Sequence, residues 1–143
     1  MTEILTEELL DDLLSAPTLE PYLDKSKNIS SRTLSEYLND LLNQKSLKKS
    51  EVIKHSGLNT TFAYQIFSGD RKASRNKLLQ LSFAIKLTLR ETQRLLKAGG
   101  VNELYCKNRR DAIIIYCINR QMSLEETENI LYEFHEATIC QEE

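Results

Sequence analysis

Apolar residues recur every three or four positions along most of this chain, which is the spacing of one face of an α-helix. The first such segment covers residues 3–15, and Ala16-Pro17-Thr18 interrupts it. After the polar stretch 25–31, the same spacing predicts further helices at 34–44, 49–55, 60–67, 75–86, 89–97, 109–121 and 124–137. No run alternates apolar and polar residues long enough to form a strand. The chain is therefore expected to be all-α.

Capping residues mark the predicted helix boundaries. Thr33, Thr88 and Ser123 each precede a Glu by three residues, which is the spacing of a capping box. Other residues typical of helix caps and stops are Gly57, Asn59, Gly69, Ser74 and Gly99-Gly100. The segment Ala112 to Ile118 is apolar nearly all round, so its helix must be covered by its own domain or by a second subunit. The sequence shows no internal repeat.

Charge divides the chain into three segments, although the net charge is only −2. Residues 1–30, an acidic N-terminal helix and linker, carry two Lys against seven acids, or −5. Residues 31–100 carry thirteen Lys and Arg against five acids, or +8. Residues 101–143, a C-terminal helical hairpin for dimerisation or completion of the core, carry four basic residues against nine acids, or −5. A basic centre between acidic flanks is expected when only the centre meets phosphate. The alternative is a solvated, charge-balanced helical protein.

Other functional classes find little support. His55 and His135 are isolated, the three cysteines form no CxxC pair, and no Gly-rich phosphate loop is present. We therefore expect no enzyme, no metal and no cofactor. The longest apolar run is far shorter than the roughly 20 residues that span a bilayer. Acidic residues stand where a signal peptide carries basic ones, which predicts a cytoplasmic protein with reduced thiols.

Residues 33–97 resemble the Cro/CI-like (XRE-type) helix-turn-helix family, which includes the lambda repressor DNA-binding domain. The matching positions are Leu47, Gly57, Leu58, Ile66-Phe67-Ser68-Gly69, Leu78, Leu81, Ala84, Leu87 and Thr88-Leu89-Arg90-Glu91. Gly57 falls in the turn, where a side chain is expected to crowd the helices. The resemblance implies a lambda-repressor-like helix-turn-helix bundle at 31–100, here with extra N- and C-terminal helices.

The resemblance also implies which residues meet DNA bases. In this family the first residues of the third helix contact base edges, and a residue one turn on can join them. Gln can pair with adenine, Thr can offer a hydroxyl and a methyl group, and Tyr can bond a phosphate. The residues at these positions are Asn59, Thr60, Thr61, Tyr64 and Gln65. Phe62, which lies between them, and Phe67, which follows them, are expected to pack in the core.

Backbone contacts are implied on both sides of that helix. Lys49 stands where many relatives carry a Gln, and it supplies a point charge instead of a directional amide. Arg71, Lys72, Arg75 and Lys77 follow the third helix, where the family's loop often touches phosphate. Lys45 and Lys54 could extend the patch.

The predicted function is a sequence-specific DNA-binding transcriptional regulator that binds double-stranded DNA as a homodimer. The alternative is an all-helical adaptor or antitoxin-like partner that uses the same fold. Its protein partner would dock on the helix-turn-helix surface or on the acidic flanks.

Overall fold

The computed structural model describes residue 14 and residues 33–140. Within the second range the chain forms helices and no strand, which confirms the all-α expectation. The helices are α1 Leu34–Gln44, α2 Lys49–Ser56, α3 Thr60–Ser68, α4 Arg75–Ile85, α5 Leu89–Ala98, α6 Arg109–Asn119 and α7 Leu124–Glu133. Apart from residue 14, the predicted helix at 3–15 and the acidic segment 1–30 lie outside the described residues. No helix in the described part of the chain is long and apolar enough to cross a membrane.

Local capping explains most of the helix boundaries. Thr88 and Ser123 form complete capping boxes with Glu91 and Glu126, while Thr33 caps α1 by accepting the Glu36 N–H. Every predicted boundary lies within two residues of the observed one except the end of α7. That helix was expected to reach 137 but ends at Glu133.

The early end of α7 has a clear cause in the backbone. His135 adopts a left-handed conformation with a φ of 62°. The Glu136 N–H then bonds to the Leu131 carbonyl at 2.9 Å, which closes the helix end. The chain therefore turns away four residues before the expected boundary.

Helix α4 lies at the centre of the core and packs against α2, α5 and α7. Helix α1 packs against α3 and α5, and α6 packs against α5 and α7. Each helix contributes buried apolar side chains, and each fully buried Leu, Ile or Phe stabilises the fold by roughly 1.5–3 kcal/mol. Those buried most completely include Leu38, Ile66, Phe67, Leu78, Leu79, Leu81, Leu95, Leu96, Ile114 and Leu131.

Helices α4–α5 and α6–α7 are two copies of one motif, so the expectation of no internal repeat is wrong. The offset is 35 residues, as from Thr88 to Ser123, the two capping-box residues. Left-handed residues precede them at Lys86 (φ 61°) and Gln121 (φ 56°). The same offset relates the next left-handed residues, Gly100 (φ 73°) and His135.

Long-range hydrogen bonds repeat with the same offset. The Gln93 side chain binds the backbone N–H and carbonyl of Leu104 at 2.7 and 2.9 Å. Its counterpart Glu128 accepts the N–H of Ile139, the counterpart of Leu104, at 2.6 Å. Each copy is therefore a helix pair whose following segment is fastened back to its second helix.

The first helix of each copy also fastens that following segment. Arg75 donates from Nε to the Asn102 carbonyl at 2.9 Å and from Nη2 to the next carbonyl at 3.0 Å. Arg110, 35 residues on, donates to the Ala137 carbonyl at 2.7 Å and to the next carbonyl at 3.3 Å. One arginine thus serves as a clamp in each copy.

The two clamps join the copies by reciprocal contacts. Arg75 binds both carboxylate oxygens of Asp111, at 2.9 and 2.7 Å, and Arg110 binds the amide oxygen of Asn76 at 2.9 Å. Asn76 and Asp111 are equivalent positions, so each copy offers the same site to the other's arginine. Helix contacts are reciprocal as well, α4 with α7 and α5 with α6. Such an exchange is typical of a twofold relation, here within one chain.

Burial opposes the ionisation of Asp111, but the paired guanidinium of Arg75 and the Tyr105 N–H outweigh it. The pKa of Asp111 is therefore lowered from its usual value. The carboxylate is charged at neutral pH, and it is held by two charge-assisted bonds.

Candidate nucleic-acid interface

The turn between α2 and α3 is held by buried polar groups. The Ser56 hydroxyl donates to the Ile53 carbonyl at 2.7 Å and accepts the Leu58 N–H at 3.1 Å. Gln80 of α4 is 6% exposed, and its amide donates to the Ser56 carbonyl at 3.1 Å. Because these groups satisfy one another away from water, the angle between α2 and α3 is fixed from the core.

Gly57 is required by its backbone conformation and not by crowding. Its φ is 78°, in the left-handed region, whereas an added Cβ would meet Gln80 Nε2 at an ordinary 3.5 Å. The expectation that a side chain would crowd the helices is therefore wrong. The cost of a side chain here arises from the backbone alone.

We expect Gly57→Ala to lower the free energy of unfolding by roughly 1–2 kcal/mol, the cost of a left-handed backbone for an L-residue. Gly57→Asn is the matched control, since Asn tolerates this conformation better and should cost less. Urea denaturation of the three proteins measures both effects. Equal stability of wild type and the alanine variant would contradict this explanation.

The C-terminal end of α3 is held by α1. Asn39 donates from its amide to the Phe67 carbonyl at 2.9 Å, and the Ser35 hydroxyl donates to the same oxygen. Gly69, with a φ of 88°, then ends the helix. Helix α3 is thus fixed at its end by α1 and at its beginning by the turn, so its exposed face has a defined direction.

That exposed face contains the predicted base-reading residues. Thr60 and Thr61 in the first turn are exposed, and Tyr64 is 42% exposed. Asn59 is also exposed, but its side-chain oxygen accepts the Phe62 N–H at 3.0 Å and so serves as the helix cap. The other face of α3 is buried, including Phe67 as expected.

Gln65 and Arg71 are brought together in a way that the sequence did not predict. Arg71 donates from Nε to the Gln65 side-chain oxygen at 2.9 Å. Its guanidinium lies 5.2 Å from the centre of the Phe62 ring, and Lys77 Nζ lies at the same distance from that ring. Phe62 is half-buried and therefore packs on the core while it holds two cations. No sequence signal distinguishes this role from ordinary core packing.

The remaining basic residues differ in the groups that they contact. Lys49 is half-buried at the start of α2, with Nζ 5.4 Å from the Phe67 ring, and Lys72 is exposed. Arg75 is turned inward onto Asp111, so its predicted contact with DNA backbone is wrong. Lys45 pairs with Glu91 at 3.2 Å. We call the set that remains the α2–α3 surface: Lys49, Asn59, Thr60, Thr61, Tyr64, Gln65, Arg71, Lys72 and Lys77.

Among the described residues, no group of His, Cys, Asp or Glu side chains could hold a metal ion. No family model, curated protein or solved structure matches this chain.

Proposed function

We propose that α2 and α3 form the helix-turn-helix of a lambda-repressor-like DNA-binding domain. The observation that carries the proposal is the exposed first turn of α3. It presents short polar side chains with no acidic residue in that turn, and cations lie over two aromatic rings of the helix, Phe62 and Phe67. A fixed helix whose N-terminal turn is exposed in this way suits the major groove of DNA.

The proposed roles follow from side-chain chemistry and exposure. Thr60, Thr61 and Tyr64 are placed to meet base edges, because they lie on the exposed side of the first two turns. Lys49, Arg71 and Lys72 are the phosphate contacts, with Lys77 beside them. Gln65 holds Arg71 in the free protein. We further propose that the protein is a cytoplasmic transcriptional regulator that binds as a homodimer.

Lys49→Ala is expected to weaken binding to every DNA sequence about equally. It should also reduce the slope of log affinity against log salt by about 1, since one phosphate contact is lost. Fluorescence anisotropy with two unrelated duplexes at several salt concentrations measures this. The control is Lys97→Ala, which removes one exposed charge from α5. Identical slopes for Lys49→Ala and wild type would place α2 away from the DNA.

Gln65→Ala tests whether the amide reads a base or positions Arg71. If Gln65 reads a base, the variant relaxes sequence preference in any background. If it acts through Arg71, as the 2.9 Å bond favours, its effect disappears in the Arg71→Ala background. We expect this second result from a double-mutant cycle of DNA affinities. Full additivity of the two substitutions would contradict it.

A further inference from the structure

The internal repeat identifies a surface on α6 that the rest of the described chain leaves open. Ile113, Tyr116 and Arg120 correspond, at the offset of 35 residues, to Leu78, Leu81 and Ile85 of α4. All three α4 residues are at most 2% exposed within the core. Ile113 is only half-buried, Tyr116 is 52% exposed and Arg120 is exposed. The position that is covered in the first copy is thus uncovered in the second.

The open side of α6 forms one stripe along the helix. Arg109, Ile113, Tyr116 and Arg120 are spaced by four, three and four residues, so they share a face. Arg120 lies over the Tyr116 ring, 4.5 Å from its centre. Arg109 reaches Glu136 of the same chain at 3.4 Å but keeps 64% of its side chain exposed. We call these four residues the α6 stripe. It is apolar and aromatic in the middle and basic at both ends.

Helix α7 carries a stripe of the opposite charge. Glu125, Tyr132 and Glu133 are exposed, and Tyr132 is 78% exposed. Glu125 and Tyr132 are spaced by seven residues and so lie on one face of the helix, while Glu133 lies beside that face, about 100° round the helix from Tyr132. We call these three residues the α7 stripe. It has an aromatic side chain and acidic groups, where the α6 stripe has an aromatic side chain and basic groups.

We propose that a second copy of this chain covers these stripes, with the α6 stripe of each copy against the α7 stripe of the other. In a twofold interface the same surface of each copy contacts the other copy, so that surface must be complementary to itself. Opposite charges on the two helices of one hairpin provide this complementarity. Exposed tyrosines and arginines are the residue types that dominate binding energy in such interfaces. This inference rests on the proposed function, because a dimer is needed to bind the two half-sites of a DNA operator. It uses no residue of the α2–α3 surface.

Sedimentation velocity of the full chain without DNA tests the interface. We expect wild type to dimerise at micromolar concentrations and Tyr116→Glu to raise the dimer dissociation constant at least about tenfold. Tyr105→Glu is the control, because Tyr105 is 57% exposed but lies outside both stripes; it should leave the constant unchanged. A wild type that stays monomeric up to about 100 µM would overturn the proposal. So would a Tyr116→Glu variant that dimerises like wild type.

A charge exchange separates this pairing from any other use of the surface. Arg109→Glu/Arg120→Glu makes both stripes acidic, and Glu125→Lys/Glu133→Lys makes both basic. Each variant alone should be monomeric, while an equimolar mixture should form heterodimers. Circular dichroism confirms that each variant is folded. A mixture that remains monomeric would refute the reciprocal pairing. Because no DNA is present, either result leaves the test of DNA binding independent.

Discussion

Arg75→Ala should lower the free energy of unfolding by about 2–4 kcal/mol. The substitution leaves the nearly buried carboxylate of Asp111 without its cationic partner, and breaking a buried ion pair from one side is strongly destabilising. It also removes the donors to two backbone carbonyls, which loosens the segment after α5. Denaturant unfolding followed by circular dichroism measures the loss. Arg90→Ala, which removes an exposed arginine from α5, should change stability by no more than about 0.5 kcal/mol.

The pH dependence of this loss gives a second check. The pKa of Asp111 in the folded protein is lowered below the value of about 3.9 expected in the unfolded chain. The contact therefore stabilises the fold fully above that value, and the contribution is lost as the pH falls through the lowered pKa. The difference between wild type and Arg75→Ala should shrink below about pH 4. A difference that is small at neutral pH, or that grows in acid, would show that the clamp does not join the two copies.

Thr61→Glu should reduce DNA affinity by about 100-fold or more while leaving the protein folded. A carboxylate in the first turn of α3 would face the phosphates of the groove, and juxtaposed like charges cost several kcal/mol. The same acid at a helix N-terminus favours the helix, so thermal stability should be unchanged or slightly higher. Anisotropy titrations and thermal unfolding measure these two quantities.

The control for Thr61→Glu is Arg90→Glu, which changes the net charge by twice as much on the exposed side of α5. We expect it to weaken DNA binding far less than Thr61→Glu does. If both variants lose affinity in proportion to their charge, binding is a general electrostatic attraction and α3 is not the reading helix. Undiminished DNA affinity of Thr61→Glu would likewise exclude α3 as the helix that contacts DNA bases.

The helices and their starts could be predicted because their causes are local in the sequence. The two residues of a capping box, such as Thr88 and Glu91, stand only three positions apart. The spacing of apolar residues likewise repeats within a single helix. The end of α7 escaped prediction because no glycine marks it. His135 takes the left-handed position that Gly100 takes in the first copy. A histidine, unlike a glycine, does not indicate a helix end in the sequence.

The repeat and the fate of Arg75 depend on contacts between distant residues. The two copies preserve the roles of residues more than their types, with Gln93 replaced by Glu128 and Asn76 by Asp111. The repeated hydrogen bonds are therefore not evident from the amino-acid sequence. Arg75 follows α3 in a basic segment and was expected to touch DNA. Its partner, Asp111, lies 36 residues away in the chain, and the two meet only because α4 packs against α7 and α5 packs against α6.

For the candidate site, sequence placed the exposed residues of α3 better than it placed their partners. Thr60, Thr61 and Tyr64 are exposed where a reading helix needs them. The bond from Arg71 to Gln65, and the position of the Arg71 guanidinium over the Phe62 ring, follow from a loop conformation that residue types alone do not determine. For that reason the DNA sequence that the protein prefers is harder to predict than the residues of the α2–α3 surface.

The proposal that α3 reads DNA sequence is tested most directly by selecting bound duplexes from a random pool with the 143-residue chain at two salt concentrations. We expect a palindromic motif with half-sites about one helical turn apart. The motif should persist at the higher salt concentration, although total binding falls. Salt-sensitive binding without any motif would contradict sequence reading, and no binding at either concentration would favour the protein-interaction alternative.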